Sequence, residues 1–257
     1  MSDSKKIALC LMYDGGKFHG WQVQQNAKSV QSTIQDALEN VLGFRPDVCG
    51  CSRTDSGVHA NNYVCHIDGE NVSIPCDKLP KALNAHLHGS GLCVKSAEEK
   101  DKEFHARYSC IGKEYVYKIW NNDFVNPFLE NYSLYYPMKI DVEKYSYLCR
   151  EFEGTHDFRA FMSKGSKNED NTVRTVKYFR VKREEDGLVT VSVCADGFLY
   201  NMVRIMVGTY LECVRSDAPK GSVSKIIDSL ERKNAGDTAP AHALYLNKIF
   251  YQELQQE

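Results

Sequence analysis

Cys51-Ser52-Arg53-Thr54-Asp55-Ser56-Gly57-Val58-His59-Ala60 is the stretch on which the reading of this chain turns. An arginine, a carboxylate and a glycine fall within five positions, between two apolar, strand-like runs, Asp47–Cys51 and Asn61–His66. A carboxylate two residues from an arginine, on a Gly-punctuated loop between strands, is a candidate nucleophile or acid/base. The plainer reading is a surface turn, since Asp, Ser and Gly are ordinary turn formers and Arg–Asp pairs are common on solvated loops.

Outward from this loop the pattern alternates strands and helices. Lys5–Tyr13 is β-compatible and is punctuated by Asp14-Gly15-Gly16. Val30–Leu42 carries apolar residues at Val30, Ile34, Ala37, Leu38, Val41 and Leu42, helical spacing with Ser29 as N-cap and Gly43 as stop. Asp77–Leu87 reads as a second helix capped by Asp77, and Gly91–Glu98 as a strand. The order is βαββαβ-like, an α/β layer of about 100 residues. The second half repeats the alternation. Tyr108–Trp120 is a strand with period-two character after Gly112, Asp141–Phe152 a helix, and Thr172–Arg183 with Leu188–Ala195 a hairpin about Glu185-Asp186-Gly187. Phe198–Val214 is an apolar helix, Ser222–Arg232 an amphipathic one, and Leu244–Tyr251 a closing strand. No linker composition separates the halves. A boundary near Lys102–Arg107 gives an N-terminal domain over 1–104 and a C-terminal domain over 105–257.

Composition excludes several classes. The chain has 257 residues, 42% hydrophobic and 26% charged, ordinary values for a soluble globular protein. No apolar run of about 18 residues predicts a membrane span, and Met1-Ser2-Asp3-Ser4-Lys5-Lys6 does not lead into a signal core, so a cytoplasmic location is expected. Of the ten cysteines, Cys10, Cys65, Cys93, Cys149, Cys194 and Cys213 sit singly in apolar runs, where a reduced thiol is a small hydrophobe. Cys49-Gly50-Cys51, Cys65-His66 and His86-Leu87-His88 are isolated pairs without metal-finger spacing, so no metal is expected. No Gly-rich nucleotide-binding fingerprint appears, and no cofactor is expected. The net charge is −2, but Thr155–Arg183 holds eight Lys/Arg against three acids, a local +5. Such a patch suits phosphate contacts and equally a solvated strand face.

Further segments join the first in order along the chain. They are Tyr13-Asp14-Gly15-Gly16-Lys17-Phe18-His19-Gly20-Trp21-Gln22, Phe104-His105-Ala106-Arg107-Tyr108-Ser109, Lys113-Glu114-Tyr115-Val116-Tyr117 and Phe152-Glu153-Gly154-Thr155-His156-Asp157-Phe158. Arg174-Thr175, Met202-Val203-Arg204-Ile205-Met206-Val207-Gly208 and Ala239-Pro240-Ala241-His242-Ala243-Leu244-Tyr245-Leu246 follow. With the Arg53–Ala60 loop, these segments resemble the TruA-type tRNA pseudouridine synthases over nearly the whole chain.

That resemblance implies an α/β (α+β) pseudouridine synthase fold. Two βαββαβ-like halves with mixed and antiparallel sheets are flanked by helices, with a cleft between them. It implies isomerisation of uridine to pseudouridine in the tRNA anticodon stem-loop, at family positions 38, 39 and 40, by a homodimer without cofactor. Asp55 is then the catalytic aspartate and Arg204 its charge partner. An arginine in the middle of an apolar helix independently wants a carboxylate, or else snorkels to solvent. Tyr115 matches the active-site tyrosine, able to stack on uracil or move the C5 proton. Tyrosines alternating in a strand also suit a plain core. Leu244 matches a residue lining the base pocket, and Arg53 one that fills the gap left by the flipped base. Lys164, Lys167 and Arg174 are candidates to track the tRNA backbone. The apolar, tyrosine-rich Phe124–Tyr136 suits a dimer interface or core. Ser52, Ser56 and Ala243 depart from the commonest family residues (Gly, Ala and Gly), all small. Ala243 matters if its position needs a positive φ.

Three other readings stay open. One is a paralogous synthase acting on another RNA, and one a non-catalytic RNA-binding module of the same fold. The third is a metalloenzyme built on the Cys/His set.

Overall fold

The computed structural model describes residues 5–165 and 171–252. The chain forms two compact units, residues 1–111 with 245–257, and residues 112–244.

The first unit follows the order β1 (Lys6–Tyr13), α1 (Val30–Leu42), β2 (Cys49–Gly50), β3 (His59–Asp68), α2 (Leu79–Leu87) and β4 (Leu92–Lys100). β1 is the centre of an antiparallel set, pairing with β3 on one side and β4 on the other, while short β2 pairs with β3. Helix α1 occupies the span expected from its periodicity. Ser32 N–H donates to Ser29 Oγ at 3.1 Å, and Gly43 closes the helix at φ 78°, a capping box followed by a left-handed C-cap. Its Val30, Ile34, Ala37 and Leu38 are buried. Helix α2 starts two residues later than Asp77. The Pro75 carbonyl accepts from both Lys78 N and Leu79 N, a turn that delays the helix, and Lys78 takes the cap position.

The second unit contains β5 (Gly112–Trp120), β6 (Leu134–Tyr135), α3 (Ser146–Glu151), β7 (Gly154–Asp157), β8 (Val173–Arg183), β9 (Leu188–Ala195), α4 (Met202–Arg215) and α5 (Ser222–Ser229). Its sheet runs β5-β9-β8-β7 with antiparallel pairings, and β6 adds in parallel to β5. The expected β8–β9 hairpin is present and turns through Glu185–Gly187. Helix α3 is shorter than expected: residues 142–145 form turns, with Asp141 Oδ1 accepting from Lys144 N, and the regular helix begins at Ser146. Helix α4 begins at Met202, not Phe198, because Asn201 sits in the left-handed region at φ 60°. Leu230, at φ 56°, ends α5 before Arg232.

The last strand, β10 (Leu244–Phe250), pairs in parallel with β3 through Tyr245↔His59 and Leu246↔Ala60. From Tyr245 onward the chain therefore counts with the first unit, which differs from an uninterrupted second half over 105–257. The ten cysteines are free thiols. Among the described residues, no helix is long and apolar enough to cross a membrane.

Candidate functional site

In the first unit the loop between β2 and β3 is held at nearly every second residue. Tyr63 donates its hydroxyl to the Ser52 carbonyl. Thr54 is buried; its Oγ1 meets Tyr13 Oη at 2.8 Å, and its carbonyl accepts from Trp21 N at 3.1 Å. Val58 N–H donates to the Asp55 carbonyl, closing a turn with Gly57 at φ 83°. Alternate anchoring leaves Arg53 exposed and Asp55 half-buried. Each buried bond contributes about 1 kcal/mol, and leaving one partner unmet costs more.

The Tyr13–Gln22 segment lies directly against this loop. A Cβ on Gly15 would stand 2.1 Å from the Val58 carbonyl oxygen, and one on Gly20 2.7 Å from that of Thr54. Only glycine lets two backbones approach so closely. Gly15 N–H also donates to His59 Nδ1 at 3.0 Å, and the His59 ring stacks on Tyr245 at 4.7 Å. The Trp21 and Tyr63 rings stack at 4.2 Å beneath Gly50, which has no room for a side chain. The two motifs nearest the N-terminus thus form one rigid body that presents Arg53 and Asp55.

In the second unit β5 carries Tyr115 and Tyr117. Tyr115 is buried with its ring edge-on to Phe198 at 5.2 Å. Tyr117 donates its hydroxyl to the Pro240 carbonyl at 3.0 Å. Burial pushes its phenol well above the ordinary range, against the opposing charge of Arg204. Arg204, on the first turn of α4, is half-buried. Its Nε donates to the Ala239 carbonyl at 2.6 Å and its Nη1 to Asn201 Oδ1 at 2.8 Å. The segment 236–240, which supplies the Ala239 carbonyl to Arg204 and the Pro240 carbonyl to Tyr117, is strapped onto α4. Gly236 N–H donates to Thr209 Oγ1 at 2.9 Å, and Ala239 N–H to the Arg204 carbonyl at 3.2 Å. A Cβ on Gly208 would stand 1.8 Å from the Asp237 carbonyl oxygen. Leu244 is buried at the start of β10, and Ala243 has no positive φ, so alanine is unstrained there.

The basic stretch divides. Arg183 donates to Asn121 Oδ1 and the Ile140 carbonyl, Lys182 pairs with Glu184 at 2.7 Å, and Arg180 lies over the Tyr178 ring at 4.4 Å. These cations are engaged by their own unit. Lys164 is exposed, and Arg174 is half-buried with Nη1 donating to the Val173 and Asn171 carbonyls. Lys167 lies outside the described residues.

Spacing in the sequence missed one cluster. Cys49, His66 and His105 bring their ligand-type atoms within 4.8 Å of one another. The hydrogen bonds define its character. His66 Nδ1 accepts from Ala106 N at 3.1 Å, and His105 Nδ1 accepts from both Arg107 N and Tyr108 N. Each neutral imidazole therefore carries its proton on Nε2. A ligating histidine instead donates through the ring nitrogen that does not bind the metal. The two rings present N–H groups and not lone pairs, burial raises the Cys49 thiol and keeps it protonated, and the trio does not fit a divalent ion. Burial, with His105 and Lys6 adding, lowers His66 to about 4.

The family model described as tRNA pseudouridine synthase matches residues 9–109 and 148–252. The tRNA pseudouridine synthase A of Acetivibrio thermocellus is 42% identical over 96% of this chain and 100% of that protein. That of Lactobacillus acidophilus is 37% identical over 98% of this chain and 96% of its own length. A solved Cbf5–Nop10–Gar1 complex contains a chain with 13% identity and a TM-score of 0.38, covering 79% of this chain and 53% of that one, too distant to bear on the site. On the family match and the near-complete coverage of these relatives, the chain belongs to the tRNA pseudouridine synthase family.

Proposed function

We propose that this chain isomerises uridine to pseudouridine in the anticodon stem-loop of tRNA, at positions 38 to 40 as the family resemblance implies, with Asp55 as the nucleophile. The observation that carries this reading is the Arg53-Thr54-Asp55 loop. Thr54 is locked into the core by two hydrogen bonds while its two neighbours are left accessible. Catalytic carboxylates need that fixed presentation. The reaction breaks the N1–C1′ bond and joins C5 to C1′. The proton on C5 leaves and N1 gains one, with no change of oxidation state.

Roles then follow from chemistry. Asp55 attacks as the carboxylate, and a guanidinium favours that ionised form, the role assigned to Arg204. Tyr115 is assigned to stack on the uracil and handle the C5 proton, and Leu244 to line the base pocket. Arg53 is assigned to fill the gap left by the flipped base, whose unstacking costs a few kcal/mol. Lys164, Lys167 and Arg174 are assigned to phosphates. The protein works where tRNA is, in the cytoplasm, as a homodimer. Phe124, Val125, Phe128, Tyr132 and Tyr135 are exposed along the stretch that suits the interface.

The test is direct. Purified protein is incubated with unmodified tRNA transcripts and pseudouridines are mapped by base-specific chemistry. Modification confined to positions 38–40 supports the reading. Modification elsewhere supports a paralogous specificity, and none, with tRNA still bound, a non-catalytic module.

A further inference from the structure

Asn201 stands out in the second unit for what it does not do. Asparagine ahead of a helix ordinarily accepts a hydrogen bond from a backbone N–H of the first turn. Here it caps nothing with its side chain, although it immediately precedes α4. Its backbone instead takes the left-handed conformation, φ 60° and ψ 8°, which asparagine tolerates better than most residues. The side chain is spent on two other groups. Oδ1 accepts from Arg204 Nη1 at 2.8 Å, and Nδ2 donates to Ser163 Oγ at 3.0 Å. The backbone of the same segment is tied in parallel, with Ser163 N donating to the Tyr200 carbonyl at 3.1 Å. A side chain that gives up a helix cap in a sparsely populated conformation is serving something other than the helix.

What it serves is the guanidinium. Arg204 is gripped at two points, Nε by the Ala239 carbonyl and Nη1 by Asn201. Two bonds from different segments help fix the plane of a guanidinium. The Ala239 carbonyl is a backbone group on the strap over α4, so Asn201 is the side chain of the pair that substitution can remove.

We propose that Asn201 is a positioning residue for the isomerisation: it orients the Arg204 guanidinium and affects turnover through that arginine alone. This rests on the reading of Arg204 as the charge partner of the catalytic carboxylate. The left-handed turn aims the amide at Arg204 one helical turn ahead, and because a guanidinium only donates, Oδ1 faces the arginine while Nδ2 rests on Ser163 Oγ.

Asn201→Gly separates the side chain from the backbone, because glycine adopts the left-handed conformation without strain. Single-turnover rates, tRNA affinities and unfolding curves are measured for Asn201→Gly, Arg204→Leu and the double variant, with Arg204→Met as a second background should Arg204→Leu fail to fold. The Asn201→Gly rate is expected to fall about 10- to 100-fold, the worth of a hydrogen bond to a charged group, with tRNA affinity within about threefold. In either Arg204 background the same change is expected to cost less than about twofold, the non-additivity of residues acting as one unit. An equal loss in both backgrounds, or no loss in the wild-type background, overturns the proposal. Nitrogen-15 spectra of the arginine side chains supply a readout independent of activity. Separate Arg204 Nη signals in the wild type are expected to merge through faster rotation in Asn201→Gly, and unchanged signals overturn the clamp. A wild-type chain that modifies no tRNA, but whose Arg204 signals respond this way, refutes the functional reading and leaves the clamp standing.

Discussion

Gly208→Ala puts two opposing effects in competition. Gly208 lies inside α4, where alanine is favoured over glycine by about 1 kcal/mol on helix propensity. Against this, the new Cβ would stand 1.8 Å from the Asp237 carbonyl oxygen and 3.0 Å from its carbon. Carbon–heavy-atom contacts settle near about 3.5 Å, so the 236–240 strap must retreat by on the order of 1.5 Å. Overpacking of that kind costs about 1–3 kcal/mol. The retreat also stretches the Gly236 N–Thr209 Oγ1, Ala239 N–Arg204 O, Arg204 Nε–Ala239 O and Tyr117 Oη–Pro240 O bonds, each worth about 1 kcal/mol and more for the charged one. The clash wins, with a net loss of about 2–4 kcal/mol despite the better helix former. In a chain of this size that lowers the melting temperature by about 5–15 °C. Urea unfolding and single-turnover tritium release from C5-labelled uridine in tRNA are the assays. A Gly208→Ala protein as stable as the wild type, or more so, with full activity refutes the strap as the support of Arg204 and Tyr117.

Gly15→Ala drives a methyl group into the Val58 carbonyl. A stability loss of about 1–3 kcal/mol and a reduced rate with little change in tRNA affinity are expected, and an unaltered rate would separate the Tyr13–Gln22 segment from the loop. His66 makes stability depend on pH. The folded chain holds it neutral down to about 4, while the unfolded chain takes up the proton from about 6.5, so stability is full above that range and falls as pH drops through it. Wild type is expected to lose about 2 kcal/mol more than His66→Phe between pH 7 and pH 5, and equal losses would contradict the assignment. Charge removal at Lys164, Lys167 or Arg174 should lower the log–log salt slope of tRNA binding by about 0.7 to 0.9 for each phosphate left without its cation, equally for all tRNAs. An unchanged slope marks the stretch as a solvated face.

Local signals were legible wherever one segment determines its own structure. Helix α1 lies between Ser29 and Gly43 because cap, periodicity and stop agree there. The start of α4 was not legible, since an apolar run from Phe198 gives no sign that Asn201 turns left-handed to hold Arg204. The Arg53–Asp55 loop could be picked out from its residues, but not its foundation. That Gly15 and Gly20 press on Val58 and Thr54 is a meeting of segments about 35–45 residues apart, which no local pattern encodes. The same holds for Cys49, His66 and His105, the first two in isolated pairs and the third in no pair at all. The parallel pairing of β10 with β3 lies beyond periodicity for the same reason, because an apolar strand does not announce its partner.

The central claim, that Asp55 is the nucleophile on a preformed loop, is tested most directly by Asp55→Asn. The amide keeps the size of the side chain, and the bonds that anchor the loop at Ser52, Thr54 and Val58 are made by other groups and are kept. Single-turnover pseudouridine formation, tRNA affinity and unfolding free energy are measured on the same preparation. The account predicts wild-type affinity within about threefold and stability within about 1 kcal/mol, with pseudouridine formation abolished. Turnover within about tenfold of wild type, a loss of less than about 1.4 kcal/mol of transition-state stabilisation, would contradict it.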